Sequence, residues 1–126
     1  MIRAVDIKAE LRGCNTQTPD ADARAAFAEL APFRDGSIFA GSFSGETPWE
    51  RHRTGDELVH VLDGAATLTI MTADGPQSFP LTAGMVIVVP QGHWHRFRAP
   101  GRVTVLSATP QSTEVTFVIE GSLPVA

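Results

Sequence analysis

From Ser37 to Ile119 the chain is written in period two, in short apolar runs broken every few residues by glycine, proline or aspartate. Successive side chains of an extended strand leave from opposite faces, so such alternation commits a segment to a half-buried strand. Ile38 to Phe43 lies between Gly36 and Gly45, Trp49 to Arg53 follows, and Glu57 to Leu62 ends at a tight Asp63-Gly64 turn. Ala65 to Thr72 pairs with Gln77 to Leu81 across Ala73-Asp74-Gly75-Pro76, a hairpin signal. Met85 to Val89, Trp94 to Arg98, Val103 to Thr109 and Val115 to Ile119 complete the set. The spacing predicts an all-β jelly-roll barrel over residues 36–126.

Residues 1–35 read as a strand and helix extension packed on that barrel. Ile2 to Leu11 alternates weakly, as an edge strand would, and Asn15 to Pro19 is turn-rich. Asp20 or Asp22 can cap a short helix running to about Ala31, with Ala23, Ala26, Phe27 and Leu30 on one face and Pro32 ending it. With 126 residues and no repeat, one domain is expected, large enough to fold without disulfides. A net charge of −4 and a pI near 5.4 argue against a nucleic-acid surface or an anionic membrane. The one cysteine, Cys14, forms no internal disulfide, and Met1 to Lys8 has charges where a signal peptide needs an apolar run. A cytoplasmic protein is the expectation.

Chemistry gathers in two stretches. In Glu50-Arg51-His52, the carboxylate and imidazole share parity and leave one face of a strand. Thr54-Gly55-Asp56 is turn chemistry, after which Glu57 can swing back beside them. His95 follows a Pro90-Gln91-Gly92 turn. Glu50, His52, Glu57 and His95 converging inside a β-structure would hold a divalent transition metal through mixed nitrogen and oxygen donors. Glu50 follows Pro48-Trp49, so a solvated side chain competes with ligation there; Asp56 has the wrong parity and reads as a turn residue. By the same parity Val59 and Val61 line the interior with Glu57, and Phe97 lines it with His95. Leu58, His60, Leu62 and Arg96 face outward. His93 is either a proton shuttle at the pocket mouth or a loop histidine. Trp49 and Trp94 read as structural plugs or subunit contacts rather than substrate platforms.

At these residues the chain resembles the cupins. Their first motif, G-x5-H-x-H-x3,4-E-x6-G, is met by His52, Glu57 after four residues and Gly64 after six more. Their second, G-x5-P-x-G-x2-H-x3-N, is met by Gly84, Pro90, Gly92 and His95. Glu50 replaces the first histidine, Ala99 replaces the closing asparagine, and Gly45 sits one residue off its place. The resemblance covers roughly residues 36 to 110 and implies a double-stranded β-helix with a metal site. Dioxygenase chemistry leads among the activities it implies, followed by isomerase or lyase chemistry.

A Glu/His/Glu/His set without thiolate suits Fe, Mn, Ni or Zn. On an octahedral ion it leaves two adjacent positions for a bidentate, oxygen-rich small molecule, and the metal acts as Lewis acid. Glu57 or Glu50 is then the candidate general acid or base, and the absence of tyrosine removes one common alternative. A non-catalytic ligand-binding or sensory module is the second reading. The third is a metal-free acid–base isomerase, ranked last because Arg51, Arg53, Arg96 and Arg98 all carry outward parity. The apolar outward positions Leu58, Leu62, Met85, Ile87 and Val89 lead us to expect a homodimer.

Overall fold

The computed structural model describes residues 2–12 and 26–117. One short helix, α1 (Ile7–Leu11), precedes β1 (Phe27–Phe33), β2 (Gly36–Glu46), β3 (Trp49–His52), β4 (Glu57–Thr72), β5 (Gly75–Thr82), β6 (Val86–Val89), β7 (His95–Thr109) and β8 (Thr113–Thr116). The 8-stranded sheet runs β1-β2-β7-β3-β8, and β4 pairs with β5, β6 and β7. β7 is the spine. It takes β2 along one edge and β4 along the other, and the curled sheet closes around a core of Phe43, Val59, Val61, Leu68, Val103 and Val105. The all-β jelly-roll expectation holds. No helix among the described residues is long and apolar enough to cross a membrane.

Four local expectations need correction. Ile7–Leu11 is helix rather than edge strand, because Asp6 caps it by accepting from the Ala9 amide at 3.1 Å. The helix expected to end near Ala31 is instead strand β1 from Phe27 onward; its earlier residues lie outside the described ones. Antiparallel pairing from Phe27↔Gly41 to Phe33↔Gly36 gives that backbone partners a solitary amphipathic turn would lack. Pro32 is tolerated because β1 is an edge.

Asp63-Gly64 does not end a strand either. β4 runs straight through it, and β7 runs through Pro100-Gly101, with register shifts where the two cross. The bulges bend both strands without breaking them, which is how one sheet curls into a barrel.

Finally, β6 presents the opposite face from the one expected. Val89 stands across from Glu57 and Ile87 across from Val59, so these two turn inward, while Val86 and Val88 face solvent beside Leu58. An unbroken Val/Ile run carries no polar contrast from which parity can be read. The outward apolar set is therefore Leu58, Met85, Val86 and Val88, with Leu62 half-buried.

Candidate metal centre

Three strands deliver the donors. β3 ends at His52, β4 opens at Glu57 and β7 opens at His95. The loops between them are clamped together: the Gly92 amide donates to the His52 carbonyl at 2.8 Å, and the Gln91 amide to Asp56 Oδ1 at 2.8 Å. Asp56 is thus a turn residue, in keeping with its parity. Gly92, at φ 80°, adopts the left-handed backbone that the Pro90-Gln91-Gly92 turn requires. This clamp is why two histidines more than forty positions apart in the chain meet.

Glu57 Oε1 lies 3.1 Å from His52 Nε2 and 2.9 Å from His95 Nε2. The rings sit 5.5 Å apart, and one donor atom from each of the three residues falls within 4.8 Å of the others. All three side chains are buried. Each is also oriented from behind. His95 Nδ1 donates to the His93 carbonyl at 3.0 Å, which leaves Nε2 to face the centre. His52 Nδ1 meets the Thr113 hydroxyl at 3.1 Å, and the Thr109 hydroxyl donates to Glu57 Oε2 at 3.2 Å. Outer partners of this kind fix ligand tautomer and direction at metal sites. Two Nε2 atoms and one carboxylate oxygen converging in a buried pocket, with every back-side atom already engaged, fit a divalent transition ion. Thr113→Val, which keeps the shape and removes the hydroxyl, should weaken metal affinity about tenfold or more, measured by competition with a chelating dye.

Burial pushes the Glu57 carboxyl up, but hydrogen bonds from His52 and His95 and their charge overcome it and hold the group far below the usual range. For His95, burial lowers the pKa, yet the Glu57 carboxylate outweighs it and the net shift is upward. The two shifts give opposite slopes in the metal-free protein. The Glu57 contribution is present above its ordinary value of 4.5 and is lost as acid titrates the carboxylate. The His95 contribution is present below 6.5 and is lost as pH rises through the elevated folded value. Metal-free protein should therefore be most resistant to urea between those two values. Unfolding midpoints in chelator from about pH 4 to about pH 9 test this, and Glu57→Gln should flatten both flanks.

The sequence-derived candidates fare differently. Glu50 stands opposite His95 in the β3–β7 pairing and lines the same cavity, but it does not join the three converging donors. Phe97 lines the cavity and packs edge-on against Phe43 at 5.7 Å. Val59 and Val61 are fully buried in the core, and Val105 forms cavity wall instead. His93 holds its Nδ1 on the Gln91 carbonyl at 3.2 Å and is not among the lining residues. Parity alone misses Thr109, Thr113 and Ser107. It also misses Phe27, Phe39 and Glu29, which come from strands outside both motifs; no local signal marks them.

On the other sheet face, Trp49 and Arg51 of β3 interleave with Trp94, which immediately precedes β7, and Arg96 of β7. The Arg96 guanidinium lies 4.5 Å over Trp49, and that of Arg51 lies 4.5 Å over Trp94. Stacked cations of this kind reinforce strand pairing. Both tryptophans are buried, with Met71 packed against them. The short β3 is thereby held to β7, and with it His52 to His95. Arg96 nonetheless contributes to the cavity wall, which its outward parity did not indicate.

The cavity encloses about 700 Å³, within the range of small-ligand sites. A family model described as a cupin domain matches residues 43–109, spanning both motifs. Among solved structures, a cupin-2 domain protein from Shewanella frigidimarina is 27% identical with a TM-score of 0.53, covering 71% of this chain and 79% of its own. A cupin superfamily protein from Desulfitobacterium hafniense is 26% identical with a TM-score of 0.59, covering 68% and 76%. A hydroquinone 1,2-dioxygenase, crystallised with Cd2+ and 4-hydroxybenzonitrile, is 17% identical with a TM-score of 0.57, covering 67% and 63%; that likeness shows the fold alone. No curated protein sequence matches.

Proposed function

The chain belongs to the cupin family, and from that premise we propose that it is a metal-dependent enzyme acting on a small oxygen-rich molecule, dioxygenase-like in its reaction. The observation that carries this reading is Glu57 Oε1 set between two imidazole Nε2 atoms in the wall of a ligand-sized cavity. Burying a carboxylate and two imidazoles together is costly, so their placement in a cavity wall marks a working site rather than packing.

His52, Glu57 and His95 would hold the ion. When bound, it would supply Lewis acidity toward a substrate oxygen. The rest of the work belongs to the chain. Thr113 and Thr109 keep His52 and Glu57 aimed at the centre. Phe97 and Val105 keep water from the walls around it. Glu50, on the same wall and across from His95, is placed to take a proton from a substrate hydroxyl.

Elemental analysis after reconstitution with iron, manganese, nickel or zinc tests the reading. We expect about one ion per chain, and oxygen uptake by the iron form with an enediol or catechol substrate. A protein that stays empty with all four metals would sink it and direct attention to metal-free acid–base chemistry by the same histidines and Glu57.

A further inference from the structure

The donor triad forms part of the cavity wall, and the composition of the rest of the wall says what else the cavity will accept. Phe27, Phe39, Phe97 and Phe117 supply rings from four different parts of the chain. Phe27 can lie flat over β2 because position 41 is glycine; a Cβ there would fall 2.4 Å from its ring. Two further carboxylates, Glu29 of β1 and Glu50 of β3, line the same space. Against them, among the described residues, the lining holds no lysine and one guanidinium, that of Arg96. That guanidinium is already stacked on Trp49 and sits 3.5 Å from Glu46.

We propose that the cavity selects an uncharged aromatic ring that turns a pair of oxygens toward His52, Glu57 and His95, and rejects the same ring carrying a carboxylate. The chelating half of this statement rests on the metal-enzyme reading; the charge half rests on the wall. With a divalent ion in place, its charge is matched by Glu57 and one ionised substrate oxygen, and among the described lining residues only Arg96, already engaged by Trp49 and Glu46, is left to face a second anionic group. A carboxylate entering a site whose one described guanidinium is already engaged bears much of its desolvation penalty and meets Glu29 and Glu50 as like charges. A neutral ring loses little on desolvation and gains edge and face contacts with phenylalanines.

The probes are catechol and 3,4-dihydroxybenzoate, which share a chelating pair and differ by one carboxylate. They are titrated calorimetrically into the zinc form, since zinc has no redox chemistry to consume catechol. Zinc content is measured on the same sample, so failure of the metal reading is visible before the titration begins. Catechol should bind at least about tenfold more tightly, a difference of about 1.4 kcal/mol. Glu29→Gln, on an exposed strand residue away from the donors, should close the gap by roughly threefold by strengthening dihydroxybenzoate binding. Phe39→Ala, outside the main core cluster, should weaken catechol by roughly three- to tenfold. Equal or tighter binding of dihydroxybenzoate overturns the proposal, as does zinc-loaded protein that ignores catechol. If zinc is not retained, the same pair is titrated into metal-free protein, where the preference must persist because the phenylalanines, Glu29 and Arg96 do not depend on metal; its absence there overturns the proposal too.

Discussion

Glu57→Ala should abolish stoichiometric metal uptake, lowering affinity by more than the roughly 100-fold that loss of an outer partner can cost. The residue is the single carboxylate among the three converging donors, and its Oε1 is the shared partner of both imidazoles. Alanine leaves His52 and His95 buried without that acceptor, and a buried group stripped of its partner costs about 1–3 kcal/mol. Two effects should therefore appear together. Wild-type protein with metal at about a hundred times its Kd should gain about 2.7 kcal/mol, or roughly 10–20 °C in Tm for a domain of this size. The variant should melt lower without metal and gain nothing from its addition. Glu57→Gln separates the contributions, since it keeps an oxygen acceptor and the side-chain volume while removing the charge. Retained metal uptake in Glu57→Ala would mean that the donors lie elsewhere.

Gly64→Ala is expected to cost about 3 kcal/mol or more, a loss of roughly 10–20 °C in Tm, although the residue is not among the three candidate donors. Two penalties coincide there. The backbone adopts φ +77°, which a side chain resists, and the added Cβ would sit 2.0 Å from the Arg102 carbonyl oxygen. That oxygen belongs to β7, the spine strand, so relief requires separating β4 from β7 where they cross. Gly75→Ala is the control. It has a similarly positive φ of +99° but nothing within 4 Å, so it should show the conformational penalty alone, about 1–3 kcal/mol. Equal effects at the two positions would show that close approach to β7 is not what position 64 protects.

Much of the centre is legible in the amino-acid order. Motif spacing places His52, Glu57 and His95, and strand parity turns them inward with Phe97. Parity works because polar and apolar residues alternate visibly in Glu57-Leu58-Val59-His60. It fails at Val86 to Val89, where every side chain is apolar and the face is chosen by register with Glu57. It misleads at Val59 and Val61, because facing inward does not distinguish a cavity wall from the core beneath it. Asp63-Gly64 reads as a strand end, and Trp94 to Arg98 and Val103 to Thr109 read as two strands, because the same residue types serve turns and bulges. Phe27 to Ala31 reads as helix because its apolar spacing satisfies a helical stripe as readily as a strand edge. Thr109 and Thr113 leave no trace, since a threonine's partner is set by whatever the chain brings opposite it.

By itself, then, the sequence determined a period-two barrel with three candidate donors of the right kind at the right intervals, because side-chain direction in a strand and turn formation are local properties. The tertiary structure alone decided which long strands bend rather than break, which edge captures residues 27–33, how Glu50 stands apart from the triad, and which hydroxyls and rings complete the site. Those outcomes depend on pairing between segments distant in the chain, and on the desolvation and hydrogen-bond free energy that becomes available once they meet.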